Sequence, residues 1–161
     1  MHWKMFIFTA LVALPTACHA AGDGELDRAT LRGLKAVSVV IDRLDPQLPK
    51  EGVAPAALQD RIEDRLKEAK IEVKASATEF VGLQISAVRG SRGPYALSLT
   101  IGLYQPVLLA RDHTVKTAIK TWEVETILMA EPKVLRQASM ESVDDLAARF
   151  VAAFRSVNPG H

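Results

Sequence analysis

The strongest constraint in this sequence is an alternating pattern between Tyr95 and Leu103. Every second residue is large and apolar, and the residues between them are small or polar, namely Ala96, Ser98, Thr100 and Gly102. Because side chains alternate between the two faces of a strand, the pattern predicts a β-strand with one buried face and one small, polar face. We expect this strand to run to Leu109, at the centre of an antiparallel hairpin system over Phe80 to Thr126.

Other segments also have the composition of strands. Leu34 to Ile41 is rich in β-branched residues, Phe80 to Arg89 alternates like the central strand, and Val115 to Leu128 gives the last strand. The segment Ile71 to Lys74 is either a short strand or part of the connection to Phe80. Pro106 lacks an N–H, so it predicts a bulge or an edge position near the end of the central strand.

Two segments have helical spacing. The first begins at Pro55 and repeats apolar residues at Leu58, Ile62, Leu66 and Ala69, over about sixteen residues. The second repeats Val143, Leu146, Phe150, Phe154 and Val157 and ends near Asn158. We expect Ser139 or Ser142 to cap its start, with Asp144 and Asp145 in the first turn.

The order of elements is strand, helix, three antiparallel strands, helix. It predicts an α+β fold, a two-layer sandwich with both helices on one face of a four-stranded sheet. Residues 34–159 would form this single domain. Residues 21–33 are small, polar and charged, and we expect a flexible arm that either covers the second sheet face or leaves it open.

The first twenty residues have the pattern of a signal peptide. Lys4 precedes an apolar run from Met5 to Leu14, and Ala20 gives a small residue for cleavage. The run is about ten residues, too short to span a bilayer. This predicts export to the periplasm, with no membrane span after cleavage. An alternative is a lipid anchor on Cys18, although Pro15 stands where a lipoprotein box has an aliphatic residue.

Charge and cysteine content exclude several classes. The chain has 20 Lys+Arg and 19 Asp+Glu, whereas a nucleic-acid-binding protein normally carries a basic excess, so we expect no nucleic-acid partner. Its one cysteine is Cys18, so a chain cleaved after Ala20 has no disulfide.

Residues for catalysis or metal binding are sparse. After the leader the histidines are His113 and His161, and no spaced His or Cys pair occurs, so we expect no metal and no cofactor. The stretch Gly90 to Gly93 lacks the lysine of a phosphate loop and is interpreted as a hairpin turn. A small enzyme that uses His113 with a neighbouring acid is the alternative to a non-enzymatic protein.

Aromatic and basic side chains are the candidate ligand-binding residues. Trp122 and Tyr104, with Phe80, could form an aromatic platform, although the sequence favours a position in the core for Trp122. Five cations are expected near the hairpin ends, either as a solvated rim or as a site for an anionic partner such as lipid head groups: Arg89, Arg92, Arg111, Lys116 and Lys120.

Short motifs near the strand ends and the C-terminus carry a resemblance to known proteins. They are Gln105, Val107 and Arg111 around one strand end, Thr121-Trp122 in the next strand, and Phe150, Arg155 and Val157-Asn158-Pro159. With these, the chain resembles a family of small exported bacterial proteins to which no activity is assigned, over residues 34–159. A looser likeness is to envelope lipoproteins that assist lipopolysaccharide or lipid transport, which implies a similar fold only.

Together these features predict a non-enzymatic periplasmic protein that binds a protein partner or a lipid-like ligand in cell-envelope maintenance. A structural subunit that dimerises through a strand edge is a further alternative.

Overall fold

The alternating segment forms β4 (Tyr95–Leu109), the long strand at the centre of the structure. The computed structural model describes residues 22–91 and 93–160. Within these residues β4 belongs to a five-stranded sheet of order β2-β1-β3-β4-β5. The other strands are β1 (Ala36–Ile41), β2 (Glu72–Val73), β3 (Phe80–Arg89) and β5 (Asp112–Ala130). β1 runs parallel to β2 and β3, and β3, β4 and β5 are antiparallel neighbours.

The helices complete a two-layer α+β fold, as predicted. The described ranges contain α1 (Glu25–Ala29), α2 (Gln47–Lys50), α3 (Pro55–Glu68), α4 (Leu135–Val157) and a 3-10 turn at Pro132–Val134. The long helices α3 and α4 pack against each other and cover one face of the sheet. The sheet has five strands rather than four, because the segment after α3 adds the two-residue β2 beside β1.

The core lies between this helical layer and the inner face of the sheet. The apolar stripe of α3 buries Leu58, Ile62 and Leu66 completely. The inward residues of β4 are buried to the same degree: Leu97, Leu99, Ile101 and Leu103. Trp122 of β5 meets Phe150 of α4 edge-to-face, with ring centroids 5.2 Å apart. The strand period of two and the helix period near 3.6 therefore place the predicted apolar residues against one another.

Helix α4 begins earlier than its serines suggest. The 3-10 turn at Pro132 leads directly into the helix at Leu135, so neither Ser139 nor Ser142 is the N-cap. Ser139 is instead fully buried inside the helix. Asp144 lies in the third turn, where it bonds to α3. Leu135 is buried and begins the apolar stripe about two turns before Val143, the first residue of the predicted stripe, and its burial stabilises these earlier turns.

Residues 22–33, predicted to form a flexible arm, are packed against the helical side of the domain. They contain α1, and Leu31 is fully buried. Asn158 at the end of α4 donates its side-chain amide to the carbonyl of Leu31 and accepts from the N–H of Gly33. The contacts of Leu31, Gly33 and Asn158 lie on the helical side rather than on the second face of the sheet, whereas Gly22 lies at the edge strand β5 beside Glu123.

One end of the β4–β5 hairpin extends beyond the rest of the sheet. β3 begins at Phe80, opposite Tyr104, so the part of β4 after Tyr104 has only β5 as a neighbour. We call this two-stranded extension, Gln105 to Ile119, the ribbon. Residues 111–120 are all exposed. Pro106 lies in the ribbon, where β4 has lost its second neighbour, as expected of an edge-strand proline.

A charged contact joins the two long helices. The Arg65 guanidinium of α3 donates to both carboxylate oxygens of Asp144 on α4, and Arg61 lies 3.6 Å from the same carboxylate. These cations, Arg65 first, lower the pKa of Asp144 although its partial burial acts in the opposite direction. The pair is partly exposed, so it orients the helices more than it stabilises the fold.

Replacing Asp144 tests this contact through its pH dependence. We expect Asp144→Asn to unfold at lower urea concentration than the wild type at neutral pH. Because the folded-state pKa is lowered, the contribution is fully present above the ordinary carboxyl value of about 4 and is lost as the pH falls through the folded-state value. Asp145→Asn is the control, since Asp145 is exposed and forms no ion pair with any described residue. A difference between wild type and Asp144→Asn that stays constant down to about pH 2 would contradict this.

Candidate functional site

The face of the sheet opposite the helices is the main candidate site, and we call it the open face. Its side chains come from four strands in register. They are Val40 on β1, Phe80, Gly82, Gln84, Ser86 and Val88 on β3, Ala96, Ser98, Thr100, Gly102 and Tyr104 on β4, and Glu123, Glu125, Ile127 and Met129 on β5. The small, polar face predicted for β4 is thus part of a surface about three strands wide.

The open face has an apolar end near the β3–β4 turn. Val88, Ala96 and Met129 lie side by side on adjacent strands, and Ile127 lies in the next row opposite Ser98. Val88 and Met129 are each 72% exposed and Ile127 is 74% exposed. We call these four apolar residues the apolar end. Exposure this high on neighbouring strands is unusual for a sheet face that contacts nothing.

The opposite end of the open face is aromatic. The rings of Phe80 and Tyr104 stack with centroids 4.7 Å apart and planes 4° from parallel. Gly82 makes room for this stack, since a Cβ there would lie 2.8 Å from the Tyr104 ring. Gly102 beside it is covered by the Lys120 side chain, which pairs with Glu123. The glycines therefore let two long side chains lie flat on the sheet.

Polar side chains separate the two ends. Ser98 donates a 2.6 Å hydrogen bond to the Glu125 carboxylate, and Gln84 pairs across the sheet with Thr100. The open face thus offers an apolar end, a polar middle and an ordered aromatic end on one face of the sheet.

Trp122 lies on the helical side, apart from Tyr104 and Phe80. The side chain is 1% exposed, and its indole N–H donates a 2.9 Å hydrogen bond to Asp23. Arg28 holds the same carboxylate through two hydrogen bonds of 2.8 Å, which lowers the pKa of Asp23, and the indole N–H lowers it further. The predicted aromatic platform therefore contains only Phe80 and Tyr104, and Trp122 belongs to the core.

The candidate cations are divided between the two ends of β4. Arg89 precedes the β3–β4 turn, whereas Arg111 lies in the turn between β4 and β5. The length of β4 separates these turns by roughly 45 Å. Arg89 lies over the Tyr95 ring, 5.0 Å from its centroid, and its guanidinium is 3.5 Å from the Glu51 carboxylate. One anionic site cannot combine Arg89 with Arg111.

The remaining cations of the set lie on or beside the ribbon. Lys116 pairs across the ribbon with Leu108, and Lys120 pairs with Tyr104 at its base. Arg111 and Lys116 form no ion pair with a described residue. Arg92 and Cys18 lie outside the described residues.

His113 is exposed and is the second residue of β5, next to the turn at the tip of the ribbon. The neighbouring carboxylate of Asp112 accepts hydrogen bonds from the N–H and the hydroxyl of Thr114, at 3.0 and 2.6 Å. The structure therefore brings no assembled acid–base pair to His113. Over residues 22–91 and 93–160, no cluster of three or more His, Cys, Asp or Glu side chains suitable for a metal ion is present. No helix in these ranges is long and apolar enough to cross a membrane.

Sequence reasoning did not identify the apolar end. In β5 the consecutive apolar residues Ile127, Leu128 and Met129 hide the alternation, and Val88 follows Ala87 in the same way. The signal that would have found them is register. Once Trp122 and Val124 are placed inward, Ile127 and Met129 fall on the outward face with Ser98 and Ala96.

Comparison with known proteins gives weak structural likeness. No protein-family model and no curated protein matches the chain. A PelC dodecamer from Paraburkholderia phytofirmans is 12% identical, covers 74% of this chain and 86% of its own, and has a TM-score of 0.39. A minor lipoprotein from Acinetobacter baumannii is 10% identical, with coverage of 76% and 94% and a TM-score of 0.35. A candidate lipoprotein from Caulobacter crescentus is 11% identical, with coverage of 81% and 93% and a TM-score of 0.37. Likeness at this level assigns no function.

The separate positions of Trp122 and Tyr104 give a direct test by mutation. We expect Trp122→Ala to lower the free energy of unfolding by about 3–5 kcal/mol, because it leaves a large cavity beside Phe150. Tyr104→Ala removes only a surface stack and should cost about 1 kcal/mol. Urea unfolding of both variants measures the difference. Equal losses would contradict the assignment of Trp122 to the core and Tyr104 to the open face.

Proposed function

We propose that this protein is an exported, non-enzymatic protein of the bacterial envelope that binds a protein partner through the open face. The observation that carries the proposal is the apolar end, where Val88, Ile127 and Met129 project from neighbouring strands and are each more than 70% exposed. Contiguous apolar surface on a soluble domain is characteristic of a contact site. The opposite face is fully used by the core, so this face is the one left for a partner.

The shape of the open face favours a protein over a small ligand. Sites for small molecules are concave and enclose most of the ligand. The open face is instead the surface of a sheet, and its large side chains lie along this surface, as the Tyr104 ring does over Gly82. A partner that matches it would place apolar side chains over the apolar end. A lipid-like ligand bound there would remain exposed on its other side, which makes it the weaker alternative.

The aromatic end supports the same conclusion. Aromatic side chains are enriched at protein interfaces because they present a large area with few rotatable bonds. Tyr104 is already ordered by its stack on Phe80, so binding would cost little additional conformational entropy. The interface would then extend from Met129 at one end to Tyr104 at the other.

The location in the envelope is supported by the sequence of the leader. Lys4, the apolar run from Met5 to Leu14 and the small residues up to Ala20 form a signal-peptide pattern. Either cleavage after Ala20 or lipid attachment at Cys18 would deliver the domain outside the cytoplasm.

Two other functions are less well supported by the geometry. For an enzyme, His113 lacks an assembled acid, as described above. For a dimer formed along the edge of β5, the middle of that edge is occupied. Gly22 accepts a hydrogen bond from the N–H of Glu123, and Arg149 donates to the carbonyl of Glu125. These contacts leave little of the β5 backbone between Lys120 and Thr126 for a second copy.

Site-specific photocrosslinking in the envelope tests the proposal. A photoreactive side chain would replace Ile127 in one variant and Leu26 in another, since Leu26 is an 85% exposed apolar residue on α1, away from the open face. We expect one dominant protein, in near-equal amount with the bait, from position 127 and not from position 26.

A charge substitution provides the matched measurement. Ile127→Glu should abolish capture of that protein by the tagged chain, while Leu26→Glu should leave capture unchanged. Both side chains are exposed, so both variants should keep the free energy of unfolding of the wild type to within about 0.5 kcal/mol. Equal crosslinking from both positions, or capture that survives Ile127→Glu, would reject the open face as the binding surface.

A further inference from the structure

We propose that the ribbon, Gln105 to Ile119, docks on an anionic lipid surface. This inference goes beyond the proposed function, because it concerns a second surface on the far side of the aromatic end. Within the described residues, the strands of the ribbon pair only with each other. A two-stranded hairpin is only marginally stable alone in water, so packing against another surface would stabilise a long, exposed one.

Charge is the first argument for a lipid surface. Between Gln105 and Lys120 there are three cations, Arg111, Lys116 and Lys120, and one carboxylate, Asp112. Asp112 is engaged by Thr114, and Arg111 and Lys116 have no carboxylate partner among the residues that the structure describes. The whole chain, in contrast, is nearly neutral. Unpaired positive charge is thus concentrated at the tip, where it complements anionic head groups.

Exposed apolar side chains next to these cations are the second argument. Leu108, Val115 and Ile119 are between 42% and 57% exposed. Leu108 pairs directly with Lys116, so both side chains project from the same face of the ribbon, whereas Val115 and Ile119 project from the opposite face. A basic residue beside an apolar one suits the membrane interface, where the apolar group enters the acyl boundary and the long cation reaches the head groups.

The position of Gly22, the first residue that the structure describes, is the third argument. The carbonyl of Gly22 accepts a hydrogen bond from Glu123, three residues along β5 from Lys120 at the ribbon's base. Cys18, the alternative lipid-anchor site, precedes Gly22 by four residues, which span at most about 14 Å. An anchored chain would therefore hold the base of the ribbon close to the membrane that carries the anchor.

Vesicle binding tests this inference without any partner. The chain beginning at Ala21, which contains the whole described domain, would be mixed with vesicles of equal parts phosphatidylglycerol and phosphatidylcholine, and with phosphatidylcholine alone. We expect cosedimentation with the anionic vesicles only. Each cation near such a surface contributes roughly fivefold in affinity, so Arg111→Gln with Lys116→Gln should bind roughly 25-fold more weakly.

The matched control removes two cations at the other end of the sheet. Lys50 is the last residue of α2, and the next residue, Glu51, contacts Tyr95 at the start of β4. Lys133 follows the end of β5. Lys50→Gln with Lys133→Gln has the same net charge as the ribbon variant and should bind like the wild type. Equal loss in both double variants would show a general charge effect and overturn the proposal, as would failure of the wild type to bind.

Fluorescence places the contact on the ribbon. A chain beginning at Ala21 has Trp122 as its only tryptophan, and this side chain is buried. Leu108→Trp should shift its emission to shorter wavelength on anionic vesicles, while Val88→Trp, on the apolar end, should not. A shift at Val88 alone would overturn the proposal. If the emission of Leu108→Trp shifts with protein concentration in the absence of vesicles, the ribbon binds a second copy of the chain, and the proposal is also overturned.

Discussion

The packing of two amphipathic helices against one face of the sheet is the interaction on which the rest of the structure depends. Leu97, Leu99 and Ile101 point inward from β4, which packs against α4, while α3 packs against β1 and against α4. The outward residues of the same strand are too small and polar to bury a second layer. The helical layer therefore packs on one face only, and none of the described helices covers the other face of the sheet.

The segment before β1 strengthens this asymmetry. Leu31 enters the core from the helical side, and Asp23 accepts the hydrogen bond that the buried Trp122 indole requires. The same segment covers part of the free edge of β5 through Gly22. Contacts that stabilise the domain are thus gathered on one side and along one edge. The open face and the ribbon are left as the large surfaces that make few internal contacts.

Much of the fold follows from local sequence patterns, and the candidate site follows from them only in part. Alternation in β4 and helical spacing from Pro55 suffice to predict a two-layer α+β fold, because each depends on a repeat within one element. The inward position of Trp122 depends on the register of β5, which includes an extra residue, Thr121, opposite the step from Leu103 to Tyr104. A bulge of this kind has no reliable sequence signal.

The same limit explains the cations and the ribbon. Arg89 and Arg111 both lie next to hairpin turns, but the turns are at opposite ends of β4, a fact about connectivity that local composition does not contain. The ribbon follows from unequal strand lengths, since β3 has 10 residues and β4 has 15. The predicted bounds of both strands agree with the structure, but the position of the extension also depends on the register of β3 against β4, with Phe80 opposite Tyr104, which no pattern within one strand contains.

The central claim is that the open face is accessible in the isolated protein and covered in the envelope. Cysteine labelling measures this directly, because the chain after Ala20 contains no cysteine. Ile127→Cys would be compared with Ser139→Cys. Ser139 is fully buried, and cysteine is close to serine in size. The account predicts fast labelling of the first and slow labelling of the second in purified protein, and protection of the first in intact envelopes. Slow labelling at position 127 in purified protein, or equally fast labelling in envelopes, would contradict the account.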